Sequence, residues 1–225
     1  MKNYKTITIN SCLSNIYFDV IAYQMEVENN KTLAVSQLFD ELISEIKNKY
    51  QISDVVNIPK LKYSRDGYKS LGIDPSRYRL ATESLIRRIV KGFDVYRIND
   101  LVDLGNILSV KTNRSVCVVD SDKLVGDIKI TKGTKEDIYE GINRGIINIT
   151  NMPVYCDDIS FFGTPTSDTM RTAVSDETKN IIVMIICFDS SDKEQDENIL
   201  IDLYKTYANA KEITKLNVLK MQDEV

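Results

Sequence analysis

Residues 180–188 read NIIVMIICF, one asparagine followed by an unbroken apolar run. The run is short, rich in β-branched residues and lacks the polar alternation of a half-exposed strand, so it predicts a strand buried on both faces. Shorter β-rich runs precede it: SVCVVD (115–120), DIKIT (127–131), IINIT (146–150), VYCDD (154–158) and ISFF (159–162). Turn-forming stretches separate them. Together they predict a mixed sheet or sandwich in the second half of the chain.

The first half has another period. YKTITI (4–9) and IYFDVIAYQMEV (16–27) predict two strands. NNKT then interrupts, and from Lys31 onward Val35, Leu38, Phe39, Leu42, Ile43 and Ile46 fall on one helical face. Asp74-Pro75 reads as a helix start and Gly92 as its stop, with Tyr78, Ala81, Leu85 and Ile89 as the buried stripe. INDLVDLGNILS (98–109) predicts a further helix capped near Asn99 or Asp100. Ser191 and Glu194 have capping-box spacing, and Leu200, Leu203, Tyr204, Tyr207 and Lys211 extend a last helical face. The expectation is an α+β chain, a β-sandwich-like mixed sheet core with flanking helices. It is read as one domain over 1–225: strands and helix to 60, a core over 61–190, a helical segment over 191–225.

At 225 residues and 43% hydrophobic the chain can bury a sizeable core. No window approaches a membrane span and no apolar leader follows Met1, so the reading is a cytoplasmic protein without a membrane partner. The sequence contains no histidine, which removes His-based triads, His general bases and His metal ligands together. Carboxylates, hydroxyls, thiols, backbone amides or a held water remain. Cys12, Cys117, Cys156 and Cys187 are widely spaced, which argues against a disulfide frame or thiolate zinc site. Neither metal nor cofactor is called for.

Charge is segregated. From Lys60 to Arg97 ten basic residues face four acidic ones, +6 in a chain of net charge -4, which leaves -10 elsewhere. Arg87, Arg88 and Lys91 suit the end of a helix, and Glu83 with Arg87 is an i, i+4 pair. Lys60, Arg65, Arg77 and Arg79 have no such local reason. Structural pairing and an anionic partner, phosphate above all, both remain open.

The stretch YSRDGYKSLGIDPSRYRLATESLIRRIVKGFDVYRINDLVDLGNILSV (63–110) resembles the tRNA-binding and editing module, B-three/B-four, of the phenylalanyl-tRNA synthetase β chain. It is closer still to stand-alone proteins built from that module. Arg65, Tyr68, the Gly72 to Pro75 turn, the 75–89 segment, Asn99-Asp100, Val102-Asp103 and Asn106 carry the likeness. VVDSDKLVGDIKI (118–130) and DDISFFGTPTSDTMRTAVSDETKNIIV (157–183) continue it in order. The resemblance implies a mixed α/β module and a pocket that, in the synthetase, hydrolyses a mistakenly attached tyrosine. Where that module commonly has a histidine three residues before the aspartate, Cys117 stands three before Asp120.

Two function classes follow. One is an RNA-binding module that engages tRNA or aminoacyl-tRNA, with trans-editing hydrolysis as its reaction. Arg65, Arg77, Arg79, Arg87 and Arg88 would meet phosphates, and Asp157, Asp158, Asp168, Arg171 and Thr172 would line the pocket. The other is a non-catalytic module binding an amino acid, another small molecule or a protein partner in the same pocket, favoured by a pI of about 5.1. Cys117 is a nucleophile candidate or strand core, Asp120 and Asp122 a turn or magnesium ligands. Asp157 and Asp158 are a pair able to raise each other's pKa, or an exposed strand end. Asp168 and Arg171, three apart, either pair with each other or serve the site.

Overall fold

The computed structural model describes residues 4–29 and 32–222. Its strands are β1 Thr6–Ile9, β2 Asp19–Glu26, β3 Val116–Asp120, β4 Ile128–Lys132, β5 Glu140–Gly141, β6 Gly145–Ile146, β7 Pro153–Cys156, β8 Phe161–Gly163, β9 Asn180–Cys187, β10 Lys211–Lys215 and β11 Asn217–Lys220. Its helices are α1 Leu33–Lys49, α2 Pro59–Ser70, α3 Ala81–Val90, α4 Asp100–Thr112 and α5 Lys193–Tyr207.

β9 explains the architecture. It lies between β2 and β3 in an antiparallel sheet ordered β10-β2-β9-β3. Ile182, Met184 and Ile186 point into one core with Ile7 and Ile9 of β1, Ile128 and Ile130 of β4 and Val154 of β7. Those strands belong to the second sheet, ordered β11-β1-β4-β7-β8. Ile181, Val183 and Ile185 point the other way, into a core with Phe39 of α1, Ile86 of α3, Leu104 of α4 and Leu200 of α5. One face therefore meets a sheet and the other meets helices, which is why no polar residue interrupts the run. This is the α+β sandwich-like core with flanking helices that the sequence predicts. Among the described residues no helix is long and apolar enough to cross a membrane.

Several elements differ from expectation. Asp74-Pro75 begins no helix; Asp74 Oδ1 accepts the Ser76 amide at 2.8 Å and closes a turn. The proline that opens a helix is Pro59, at the start of α2. α3 starts at Ala81, whose amide donates to the Pro165 carbonyl at 2.8 Å, a partner distant in sequence. Its buried face is Thr82, Glu83, Ile86 and Ile89, because Thr82 bonds Ser109 at 2.6 Å and Glu83 has arginine partners. Gly92, at φ +77, does follow the helix end. α1 is capped by Thr32, which accepts the Val35 amide; Asn30 and Lys31 lie outside the described residues.

Of the IINIT run only Ile146 lies in a strand, at the end of β6, and Thr150 makes a single bridge to Gly133. The capping box at Ser191 is not made: its hydroxyl goes to Asp189, and α5 starts from Asp192 at φ 51. The 191–225 segment is also not helical throughout. α5 ends at Tyr207, Lys211 begins β10 beside β2, and β11 runs parallel to β1, so the C-terminal strands widen both sheets.

Candidate ligand site and the arginine cluster

The 168–174 segment runs along the open edge of β3. The Asp120 amide donates to the Thr172 carbonyl at 2.9 Å, and Val119 bridges Ala173. α4 packs on the neighbouring side, and the tight turn joining β5 to β6, with Asn143 at φ 55, closes the third. Between them lies a cavity of about 320 Å³. Its apolar wall includes Val102, Val116 and Val118; Asn106, Asp168, Thr169 and Thr172 supply polar groups. Gly105 forms the floor on α4, where a Cβ would meet Val118 Cγ2 at 2.6 Å. A second cavity of about 620 Å³ shares Ile142, Asn143, Thr169 and Met170 with the first and extends to Tyr139, Ser160 and Arg171.

The electrostatics of this wall are unusual. Asp168 is a half-buried residue with a desolvated carboxyl; burial pushes its pKa up to about 7, opposed by a hydrogen bond with the Cys117 thiol. The same burial, with Asp168 adjoining, pushes the Cys117 thiol well above its ordinary range, so it is protonated at neutral pH. Tyr139 and Tyr155 adjoin this group and their phenols are likewise raised, first by burial. Tyr139 donates to the Ser167 carbonyl at 2.5 Å. The hydroxyls of Tyr155, Thr169 and Thr172 are buried without a protein partner. Buried hydroxyls are normally bonded; Tyr155 belongs to the core between the sheets, whereas Thr169 and Thr172 share the cavity wall with Asp168 and mark it as built for something polar.

The other predicted pocket residues are distributed differently. Asp168 and Arg171 do not pair: Arg171 Nη2 reaches Asp157 at 2.7 Å. Asp157 also accepts the amides of Val125, Ile159 and Ser160, and these outweigh burial and hold its carboxyl below the usual range. Asp157 ties the β7–β8 turn to the Val125 loop. Asp158 is exposed, 3.7 Å from Lys129. Thus Cys117, Asp168 and Thr172 come together, Arg171 borders the adjoining cavity, and Asp157 and Asp158 stand behind it. Asp120 is the turn residue, accepting the Asp122 amide at 3.1 Å and the Thr178 hydroxyl at 2.7 Å. Sequence reasoning missed Tyr139, Tyr155 and Thr169, which carry no local pattern; their only signal is spatial. Among the described residues no Cys, Asp and Glu cluster is placed to hold a metal ion.

Three of the five arginines converge on one carboxylate. Glu83, 1% exposed, meets Arg65 Nη1 at 2.8 Å, Arg79 Nε at 3.9 Å and Arg87 Nη1 at 3.8 Å. One negative charge thus faces three positive ones. Lys60 is taken up by Asp196 at 2.8 Å. Arg77 stacks on Tyr78 with 5.3 Å to the ring centroid. Arg88 lies 4.6 Å from the Tyr96 centroid and 5.9 Å from that of Phe93.

A family model described as the B3/4 domain matches residues 64–215, well over half of the chain. This chain belongs to the B3/4 domain family. Among solved structures, the B3/4 chain is similar to an N-terminal fragment of the phenylalanyl-tRNA synthetase β-subunit from Pyrococcus horikoshii, with a TM-score of 0.54 at 11% identity. All of this chain is covered, and it spans 56% of that fragment. At that identity the likeness shows the fold alone. Comparison with curated proteins gives no match.

Proposed function

We propose that this B3/4 chain binds the aminoacyl end of a charged tRNA and hydrolyses the ester in the Asp168 cavity. The observation that carries this reading is the convergence of Asp168 with two unpartnered threonine hydroxyls, Thr169 and Thr172, on one cavity wall. At about 320 Å³ the cavity is at the small end of ligand sites, suited to an amino acid and the edge of a sugar. Family membership and the likeness to a synthetase β-subunit fragment support tRNA as the carrier.

In hydrolysis, a water oxygen bonds to the ester carbonyl carbon, the bond from that carbon to the ribose oxygen breaks, and the water proton passes to the ribose oxygen. A free amino acid and an uncharged tRNA leave. A carboxyl that titrates near pH 7 suits both halves of that proton transfer, as base towards water and as acid towards the leaving oxygen. Cys117, protonated and buried, hydrogen-bonds Asp168 rather than attacking. Arg65 is held inside by Glu83, so phosphate contact falls to Arg77, Arg79, Arg87 and Arg88.

The second reading, capture of a free amino acid without turnover, is favoured by the way Glu83 offsets part of the charge of three arginines. The test is release of labelled amino acid from a panel of misacylated tRNAs, run beside tRNA binding at rising salt. Hydrolysis of one class, lost in Asp168→Asn, together with a steep fall of affinity with salt, supports editing. An inert panel with salt-independent amino-acid binding replaces it with the second reading.

A further inference from the structure

The loop from the end of α3 to α4, Gly92–Asn99, leaves three large apolar side chains open: Phe93 is 58% exposed, Tyr96 73% and Ile98 57%. Three such residues in one short loop form a patch that water penalises unless something covers it. Arg88 reaches the rings of both Phe93 and Tyr96, which fixes their positions while much of each ring stays open to solvent. Four cations, Arg87, Arg88, Lys91 and Arg97, stand against one acid, Asp94, between positions 87 and 97. Arg97 is pulled back towards Asp40 at 2.6 Å and Phe39, and Arg87 shares the buried Glu83 at 3.8 Å, so the remaining excess is Arg88 and Lys91 against Asp94 at the end of α3, beside the rings. Ile98 then lines the Asp168 cavity, so the platform leads into its mouth.

We propose that Phe93 and Tyr96, held by Arg88, are a stacking platform for unpaired nucleotides. This inference deepens the tRNA reading above and rests on it. Exposed aromatic faces flanked by guanidinium groups match what single-stranded nucleic acid needs, a π-face for each base and positive charge for each phosphate. A protein partner would have to bring both an apolar face and carboxylates to the end of α3, whereas a single strand carries its π-faces and its negative charges in every nucleotide. The platform recognises no particular base, and its position makes it the last contact before the strand end turns past Ile98.

The experiment compares an uncharged RNA hairpin bearing a short unpaired 3′ tail with the same hairpin trimmed blunt, at fixed salt, on the full chain. The wild type should prefer the tailed RNA. Tyr96→Leu should weaken tailed binding by roughly tenfold, the Phe93→Leu, Tyr96→Leu pair by more, and Tyr96→Phe should bind like the wild type, since leucine keeps the apolar area and loses the stacking face. Equal binding of tailed and blunt RNA, or a tail preference that survives in the double leucine variant, overturns the platform while leaving tRNA binding standing. No binding of either RNA overturns both, and burial of the rings in self-association would then assign the patch to a protein surface.

Discussion

Arg65 places one guanidinium nitrogen 2.8 and 2.9 Å from the two oxygens of Glu83, a carboxylate that Arg79 and Arg87 approach from other sides. Part of the basic stretch is therefore organised from inside: a buried acid in α3 holds α2 through Arg65 and shares its charge with Arg79 and Arg87. Glu83→Gln should destabilise the chain by about 3 to 5 kcal/mol, because Arg65 keeps its charge in a site 14% exposed and loses its counter-ion. The apolar double variant Arg65→Met, Glu83→Leu should cost less than that single change, a non-additivity that urea unfolding reads directly.

Arg114 is a second internal hub. It has no exposed surface, bonds Asp189 at 2.7 and 3.0 Å and Asp196 at 2.7 Å, and so links the start of β3 to the end of β9 and to α5. Arg114→Lys should behave nearly as badly as Arg114→Met, since a point charge with one short reach cannot serve two carboxylates, and a loss of about 3 to 5 kcal/mol is expected for either. Burial raises the Asp189 carboxyl, but Arg114 and Ser191 pull it below its ordinary 3.8. That part of the stability is present above pH 3.8 and lost as pH falls through the lower folded value, visible as an acid transition that Asp189→Asn removes.

What was legible in the sequence was what depends on neighbours in the chain. NIIVMIICF reports burial on both faces because every residue from Ile181 to Phe188 is buried on one or the other. Asn99 caps α4 by accepting the Val102 amide, a contact written within four residues. The start of α3 was illegible because the Ala81 amide is satisfied by Pro165, and Lys211–Lys220 looked helical because its pairing partners lie in β1 and β2. The same division runs through the site. The 163–172 loop announces a polar wall by composition, but which carboxylate it isolates is decided by Arg171 choosing Asp157 over Asp168, and by tyrosines from elsewhere.

Thr172 separates a structural role from a binding one. Its side chain is buried, and its Oγ1 lacks a protein partner, so Thr172→Val should raise thermal stability, by an amount on the order of 1 kcal/mol, since an unbonded buried hydroxyl is removed. If the hydroxyl exists for a ligand, the same variant should bind aminoacyl-tRNA more weakly. Stability up with affinity down is the expected pair of readings; affinity unchanged would remove Thr172 from the site.

Asp168 should leave its mark on both stability and reaction. Its folded pKa, about 7, lies above the ordinary 3.8, so between these values the folded chain holds a proton that the unfolded chain has released. Stability should therefore fall as pH rises from about 4 towards 7 and level off beyond it, opposite in sign to the Asp189 contribution. Asp168→Asn should flatten that slope in urea titrations, with more stability retained at pH 8 than the wild type keeps. In hydrolysis the ionised carboxylate is the base, so kcat/KM of the wild type should climb through an inflection near pH 7, while the asparagine variant stays inactive across the same range. A rate indifferent to pH from 5 to 8 would place the proton transfer on another group and return Asp168 to a purely structural position beside Cys117.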